Sequence, residues 1–372
     1  MYLKGIVKKD LKTKKLTERL NPGDIALINH KDLDEIAAMS LVEKKVKCII
    51  NVSDTISGKY PNQGPSVLIN ANIPIFEADE ILFENIEEGQ NIEIKDTDII
   101  VNSQVVGQCK LLDEARIKEL LEIGYDNLEE ELERFIENTL NYAKKEKSLV
   151  TGKISVPKTK VNIKNKHVLV VVRGKDYKAD LEAIKPYIEE VKPVLIGVDG
   201  GGDALLDFGL VPDILVGDMD SVTDECLKQA KEIVVHAYPD GRAPGLERVK
   251  SLGIEAKVFP APGTSEDIAL LLAYDNKADL IVAVGTHSNM IDFLEKGRKG
   301  MASTFLVRLK VGPKLVDAKG VNKLYNSSFK LKYVIGIVIA ALIPILIITL
   351  RHPLLKDLLL LIKIRIRLLL GL

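Results

Sequence analysis

The chain has 372 residues, enough for two domains of ordinary size, and its 46% hydrophobic content supplies their cores. The formal net charge is −1 with both signs interspersed, Trp is absent and aromatic residues make up only 5%. That balance leaves neither a basic footprint for nucleic acid nor a stacking platform for bases, so no nucleic-acid partner is expected.

The N-terminus, MYLKGIVKKDLKTKK, lacks the apolar core of a signal peptide. From Gly23 to about Gly107 the chain alternates strand and helix patterns. DIALINH reads as a strand, KDLDEIAAMSLVEKK as a helix and VKCIINV as a second strand. The turn-rich SGKYPNQGP follows, and VLINANIPIFE returns through a short helix to a strand at Ile73–Phe76. GQNIEIKDTDIIVNSQVVG alternates apolar and polar residues as a hairpin does. This order, with its Asn72-Ile73-Pro74 turn, resembles the swivelling phosphohistidine domain of phosphoenolpyruvate-utilising enzymes. Where that family's loop carries a histidine, this chain has Lys59, Tyr60 and Asn62. The resemblance therefore implies the scaffold and not the phosphocarrier chemistry. His30, at a strand end, reads as a surface or capping residue.

Residues 111–147 show apolar positions every three or four residues with charges between them, a helix or helix pair broken near Gly124. SLVTGKISVPKTKVNIKNK reads as a linker. A second α/β segment starts at His167. HVLVVVRG is a continuous apolar strand of the kind found in parallel sheets covered on both faces. PVLIGV, ILVG, EIVVHAY, KVFPAP and LIVAVG are further strands, alternating with helices around Pro244–Leu252, Ser265–Tyr274 and Asn289–Lys296. Repeated alternation predicts an open, mainly parallel sheet, with ligands beyond the carboxyl ends of its strands. The cysteines, Cys48, Cys109 and Cys226, are far apart without metal-ligand spacing and read as buried thiols in a reducing compartment.

Two acidic motifs fall at that edge, Asp199-Gly200-Gly201-Gly202 and Gly217-Asp218-Met219-Asp220-Ser221. The bland reading is a pair of solvated turns. The sharper one is a metal-phosphate site. Glycines let backbone amides approach a phosphate, and like charges held close repel unless a cation sits among them. Mg²⁺ takes hard oxygen ligands, few of them from protein. PAPGTSEDIALLLAY offers a further contributor: Thr264 or Ser265 caps a helix whose first turn holds Glu266 and Asp267, although acids there are also routine helix-start residues. His287, Arg298, Lys299 and Arg242 are cationic or titratable candidates for phosphate contact, or solvated surface.

After the globular pattern, Tyr333 to Leu350 reads YVIGIVIAALIPILIITL, eighteen residues without a charge. At ~1.5 Å per residue such a helix measures about 27 Å against a hydrocarbon thickness of ~30 Å. This predicts a membrane span over residues 333–350, with Pro344 as a tolerated kink. The tail LLKDLLLLIKIRIRLLLGL places Lys356, Lys363 and Arg367 on one helix face and Arg365 opposite, as in a basic helix lying along anionic headgroups. Whether it crosses or turns back is left open, because basic residues flank the span on both sides.

DGGGDALLDFGLVPDILVGDMDS resembles the signature of thiamin pyrophosphokinase catalytic domains, in which aspartates bind Mg²⁺ and ATP for diphosphoryl transfer to the thiamin hydroxyl. The matching positions are Asp199, Asp218, Asp220 and Ser221, with Asp267 matching a later aspartate. The family's Asp-Lys-Asp-x-Thr-Asp reads here Pro262-Gly263-Thr264-Ser265-Glu266-Asp267, so its lysine is missing. Over nearly its whole length the chain is more similar to the SteA-type cytokinetic-ring proteins of bacteria. The segments carrying that resemblance are PGDIALINHKDLDEIAAMSLVEKKVKCIINVSDTISGKYPNQGP, GRAPGLERVKSLG and GTHSNMIDFLEKGRKGMASTFLVRLKVGPKLVDAKGVNKLY.

Taken together, the expectation is an α/β protein in four parts. These are a swivelling-domain-like α/β domain over 1–110, a helical connector and linker over 111–165, a thiamin pyrophosphokinase-like domain with an open mainly parallel sheet over 166–328, and a transmembrane anchor with a basic apolar tail over 329–372. Asp199, Asp218, Asp220 and Asp267 are expected to hold Mg²⁺. Gly200, Gly201, Gly202, Ser221, Thr264, Ser265 and His287 are expected to contact ATP or another nucleotide or diphosphate ligand. The resemblance implies a cytoplasmic, membrane-tethered role in cell division or envelope growth, with division-protein partners and, by analogy, a homodimer. The alternatives are an ATP-dependent diphosphotransferase acting on thiamin or another alcohol, and a catalytically inert scaffold.

Overall fold

In the computed structural model, residues 2–152, 154–286, 293–294, 301–321, 331–351 and 353–371 are described. The chain divides into two compact units, Met1–Asn322 and Lys323–Leu372.

The first unit opens with β1, Tyr2–Asp10. β1 pairs antiparallel with β5 (Asn91–Lys95) through Tyr2↔Lys95 to Ile6↔Asn91. It then pairs parallel with β2 (Ile25–Ile28) through Val7↔Ile25 to Asp10↔Ile28. With β3 (Cys48–Asn51), β4 (Ile75–Ala78), β6 (Asp98–Val101) and β7 (Gln104–Leu111) it closes a barrel in the order β1-β2-β3-β4-β7-β6-β5. Alternation along each strand divides the core. Ile25, Leu27, Cys48, Ile50, Phe76, Ile92 and Ile94 form one cluster. Ala26, Ile28, Ile49 and Ile75 point the other way, against Leu16, Leu41, Leu68 and Ile117 of the covering helices.

The swivelling-type domain expected over 1–110 is therefore corrected to a closed barrel. The reason lies in Tyr2–Asp10. Read only as a terminus without a leader, it is an alternating strand that supplies a partner to both β2 and β5 and so removes both edges. The expected hairpin is a three-stranded meander, β5-β6-β7.

Helices Glu114–Asp126 and Leu128–Lys145 follow. The break comes at Asn127, whose Nδ2 donates to Gly58 O at 2.9 Å. Gly124 lies inside the first helix, where a Cβ would come within 2.7 Å of the Tyr60 backbone.

The second half of this unit holds β8 (His167–Val171), β9 (Val194–Val198), β10 (Ile214–Gly217), β11 (Glu232–Ala237), β12 (Lys257–Pro260), β13 (Leu280–Val284) and β14 (Leu315–Asp317). They form one seven-stranded sheet, β12-β11-β10-β9-β8-β13-β14, with every pair parallel. Strands β8 to β12 are laid outward in chain order, and β13 returns to the other side of β8. The direction of winding switches there, where doubly wound sheets place their ligand crevices. Helix Ser265–Asp275 crosses beneath β8, β9, β10 and β13, and helix Ala302–Val311 packs on it. Covered from both sides, its residues Ile268 to Ala273 are all buried. Apart from Phe293 and Leu294, the helix expected at Asn289–Lys296 lies outside the described residues. Burial raises the thiols of Cys48 and Cys226 to about 12 and that of Cys109 to about 11, which makes them inert packing groups.

The second unit consists of helices Leu331–Arg351 and Pro353–Leu370. Among the described residues no helix is long and apolar enough to cross a membrane. This corrects the transmembrane helix expected over 333–350, and with it the single-pass anchor in a cytoplasmic membrane. The helix after it carries Lys363, Arg365 and Arg367 within its length.

Candidate functional site

The carboxyl ends of β8, β9 and β10 meet at one rim, and each ends in a residue that bears charge or makes room for it. β9 runs into Asp199, which takes a left-handed backbone (φ 48°) that Asp tolerates better than most residues. Its N–H donates to Val216 O at 2.9 Å, so the turn stays laced to β10. β10 ends at Gly217, where a Cβ would lie 1.8 Å from Asp199 Oδ1. Glycine is required there because the Asp199 carboxylate rests against that backbone. Met219, also left-handed (φ 63°), donates its N–H to Asp199 Oδ1 at 3.4 Å.

The loop carrying Asp218 and Asp220 is held from several directions. Asp220 N donates to Asp218 Oδ1 at 3.0 Å, and Thr223 N donates to Asp203 Oδ2 at 3.1 Å. Arg248 donates to the carbonyls of Met219 and Val222 and to the Asp224 carboxylate. Gly245 lets helix Pro244–Ser251 approach, since a Cβ there would sit 2.1 Å from Asp218 O.

Two adjoining clefts open at this rim. One, of about 250 Å³, is lined by Lys14, Arg173, Asp199, Asp218, Ser265 and Glu266, among others. The other, of about 220 Å³, is lined by Lys12, Lys14, Asp199, Asp218, Asp220 and Ser221, among others. Lys14, Asp199 and Asp218 line both. Burial, and then the Asp218 charge, push the Asp199 carboxyl up to about 7. The Ser265 hydroxyl, Lys14 and the Met219 N–H oppose that shift. Burial of the ammonium pushes the Lys14 pKa down, although the residue as a whole is exposed. The Asp199 and Asp218 charges pull it back up.

The residues predicted from sequence divide among several places. Asp199 and Asp218 share both clefts, and Asp220 and Ser221 line the second. Asp220 also faces Lys12 at 3.8 Å. Gly200, Thr264 and Ser265 line the first. Gly201 and Gly202 serve packing instead, because a Cβ would meet Val171 O at 2.0 Å and Leu215 Cδ1 at 2.5 Å respectively.

Asp267 is fully buried and lines neither cleft. It forms a capping box with Thr264, its Oδ2 accepting from Thr264 N at 3.0 Å while Thr264 Oγ1 accepts from Asp267 N at 3.1 Å. The same oxygen accepts from Ser303 Oγ at 2.8 Å and Thr304 Oγ1 at 3.3 Å. Burial, reinforced by Glu266, raises its pKa. Glu266 faces Arg308 at 3.4 Å. His287, Arg298 and Lys299 lie outside the described residues.

Several charged cleft residues are not among those predicted from sequence: Arg173 in the first cleft, Lys12, Lys15 and Glu18 in the second, and Lys14 in both. Arg173 was within reach of the logic that selected Asp199, since HVLVVVRG delivers it to the same sheet edge. Lys14 belongs to helix Thr13–Arg19, far away in sequence, and only the fold brings it in.

Among the described residues no three His, Cys, Asp or Glu side chains gather as a ready-made metal cage. What exists is a pair of carboxylates, one cradled against a glycine that no side chain could replace. A pair suits Mg²⁺, which commonly takes one or two carboxylates and fills its octahedron with phosphate oxygens and water.

Comparison with known proteins adds three likenesses. The chain is 32% identical over 101 residues to the 6-hydroxymethyl-7,8-dihydropterin pyrophosphokinase of Methanocaldococcus jannaschii, a match covering 26% of this chain and 40% of that protein's length. Thiamine pyrophosphokinase from Bacillus subtilis matches with a TM-score of 0.22 and 24% identity, over 36% of this chain and 54% of that one. A 3-isopropylmalate dehydratase from Methanocaldococcus jannaschii matches with a TM-score of 0.24 and 15% identity, over 35% of this chain and 95% of that one. Residues 319–370 match the family described as the SteA-like C-terminal domain.

Proposed function

We propose that the rim at β8–β10 binds a diphosphate-bearing ligand, ATP or another nucleotide, together with Mg²⁺ held between Asp199 and Asp218. The observation carrying this reading is that Asp199, resting against Gly217, and Asp218 line both clefts together with Lys14, while Arg173 lines the first. Two acids held this close repel, and a divalent ion with its phosphates relieves both their repulsion and their desolvation. Gly200 and Ser265 sit where phosphate oxygens would meet a backbone and a hydroxyl. Ligand binding of this kind would regulate assembly with partners, including the division proteins that the sequence resemblance implies. The test is calorimetric titration of the full chain with ATP, GTP and thiamin diphosphate, each with and without Mg²⁺. Saturable binding that requires Mg²⁺ supports the reading, and no binding by any of them refutes it.

A second reading, diphosphoryl transfer, is favoured by the partial identity to a pyrophosphokinase. An alcohol oxygen would attack the β-phosphorus of ATP, the bridge from the α-phosphate would break, AMP would leave and the alcohol proton would pass to solvent. AMP released from ATP in proportion to added thiamin or another alcohol, and lost in Asp218→Asn, supports it. Binding without turnover leaves the first reading alone.

A further inference from the structure

Asp199, Asp218, Asp220 and Glu266 come from the sheet half of the first unit, whereas Lys12, Lys14, Lys15 and Glu18 come from the barrel half, and of these four Lys14 alone lines both clefts. Lys14 lies on helix Thr13–Arg19, which packs against β1 and the neighbouring helix Glu35–Glu43. From there it reaches the rim of the parallel sheet and lines both clefts beside Asp199 and Asp218. Lys15 and Glu18 of the same helix line only the second cleft, and three other neighbouring charges have engagements of their own. Lys12 faces Asp220 at 3.8 Å, Glu266 faces Arg308 at 3.4 Å, and Arg173 Nε donates to Tyr177 Oη at 3.5 Å with Asp203 and Asp207 nearby. The Lys14 carbonyl accepts from Thr17 Oγ1 at 2.7 Å, and among the described residues its ammonium makes no hydrogen bond or ion pair.

The seam that positions it is laced by ion pairs. Lys175, just after β8, meets Glu35 at 2.6 Å, and Lys178 meets Glu43 at 3.0 Å. Both glutamates belong to the helix beside that of Lys14. From the segment Pro262–Glu266 the sheet half offers Thr264, Ser265 and Glu266 to the cleft wall, with no lysine in that segment.

We propose that Lys14 of the barrel half is the phosphate-binding cation of the cleft, so that the diphosphate site is composite and its ligand spans the two halves. This rests on the diphosphate-Mg²⁺ reading above. A flexible ammonium suits the part, because it meets phosphate oxygens as a point charge without needing a fixed geometry. The ligand class is one with at least two phosphates: one oxygen set faces the Asp199–Asp218 side through the metal and another faces Lys14.

The test compares the full chain with its Lys14→Gln and Lys14→Arg variants, and with Lys118→Gln as an exposed charge-matched control. The probes are Mg-ATP, Mg-diphosphate and Mg²⁺ alone, read by calorimetry. Expected is a loss of about tenfold or more in affinity for both phosphate probes in Lys14→Gln, recovery in Lys14→Arg, and no weakening of Mg²⁺ alone. Wild-type binding that persists within about twofold in Lys14→Gln overturns this inference and leaves the diphosphate reading standing. Equal losses in the Gln and Arg variants, or in the Lys118→Gln control, overturn it as well. Absence of binding by the wild-type chain removes the diphosphate reading, and this inference falls with it.

Discussion

Gly217 and Asp199 occupy one another's space: a methyl group on the glycine would lie 1.8 Å from the aspartate's Oδ1. The last residue of β10 thereby sets where the carboxylate that follows the neighbouring strand β9 can stand. Replacing Gly217 with Ala forces the Asp199 carboxyl off its position beside Asp218. Affinity for Mg-ATP is expected to fall about tenfold or more, which calorimetry reads directly, with a stability cost of about 1–3 kcal/mol visible in denaturant unfolding.

The Asp199 carboxyl also gives a pH signature. Its folded pKa, about 7, stands above the ordinary 3.8, so the folded state binds more protons than the unfolded state between those values. Its contribution to stability is fully present below pH 3.8 and is lost as pH rises through about 7. In metal-free protein, Asp199→Asn is expected to flatten the decline of melting temperature over that window. Saturating Mg²⁺ is expected to offset the same decline in the wild type. A decline equally steep in the Asn variant, measured by thermal unfolding in matched buffers, would assign it to other groups.

Asp267 and Asp218 separate a stabilising acid from a ligand-binding one. Asp267 accepts from Thr264, Ser303 and Thr304 inside the protein, so Asp267→Ala removes a helix cap worth about 0.5–2 kcal/mol and strands the two hydroxyls on helix Ala302–Val311. Its main effect is expected on the unfolding midpoint. Asp218→Asn, at an exposed rim position, is expected to leave the midpoint within a few degrees and to abolish Mg²⁺-dependent binding. Thermal melts and calorimetry on the same two variants check the division.

Arg248 is expected to act through the loop it clamps. It donates to the carbonyls of Met219 and Val222, and its loss in Arg248→Ala frees the segment that presents Asp218 and Asp220. Hydrogen exchange of the 218–224 amides is expected to quicken, and nucleotide affinity to fall by less than in Asp218→Asn. Unchanged exchange there would show that the glycine contacts suffice to hold the loop.

How far the sequence carried differs from part to part. The parallel strands were legible because apolar runs such as HVLVV and VLIGV match strands buried on both faces, and because Asp199 and Asp218 each end such a run. Barrel closure was not legible. Tyr2–Asp10 carries Lys4, Lys8, Lys9 and Asp10 around a short apolar stretch, and its role as a strand shows only once β2 and β5 are both seen to need an edge partner. The capping box was written in the Thr264-Ser265-Glu266-Asp267 spacing, yet burial beneath helix Ala302–Val311, which takes Asp267 out of the cleft lining, depends on packing between elements distant in sequence. Lys14 was invisible for the same reason. The charge-free run over 333–350 reads as a span on composition alone, yet among the described residues no helix is long and apolar enough to cross a membrane.

Calorimetric titration of the full chain with ATP, with and without Mg²⁺, in the wild type and in Asp218→Asn, is the most direct test. Saturable wild-type binding that needs Mg²⁺ and vanishes in the variant is the expected result. Absence of binding in the wild type, or binding equally strong without the metal or without the Asp218 carboxylate, would contradict it.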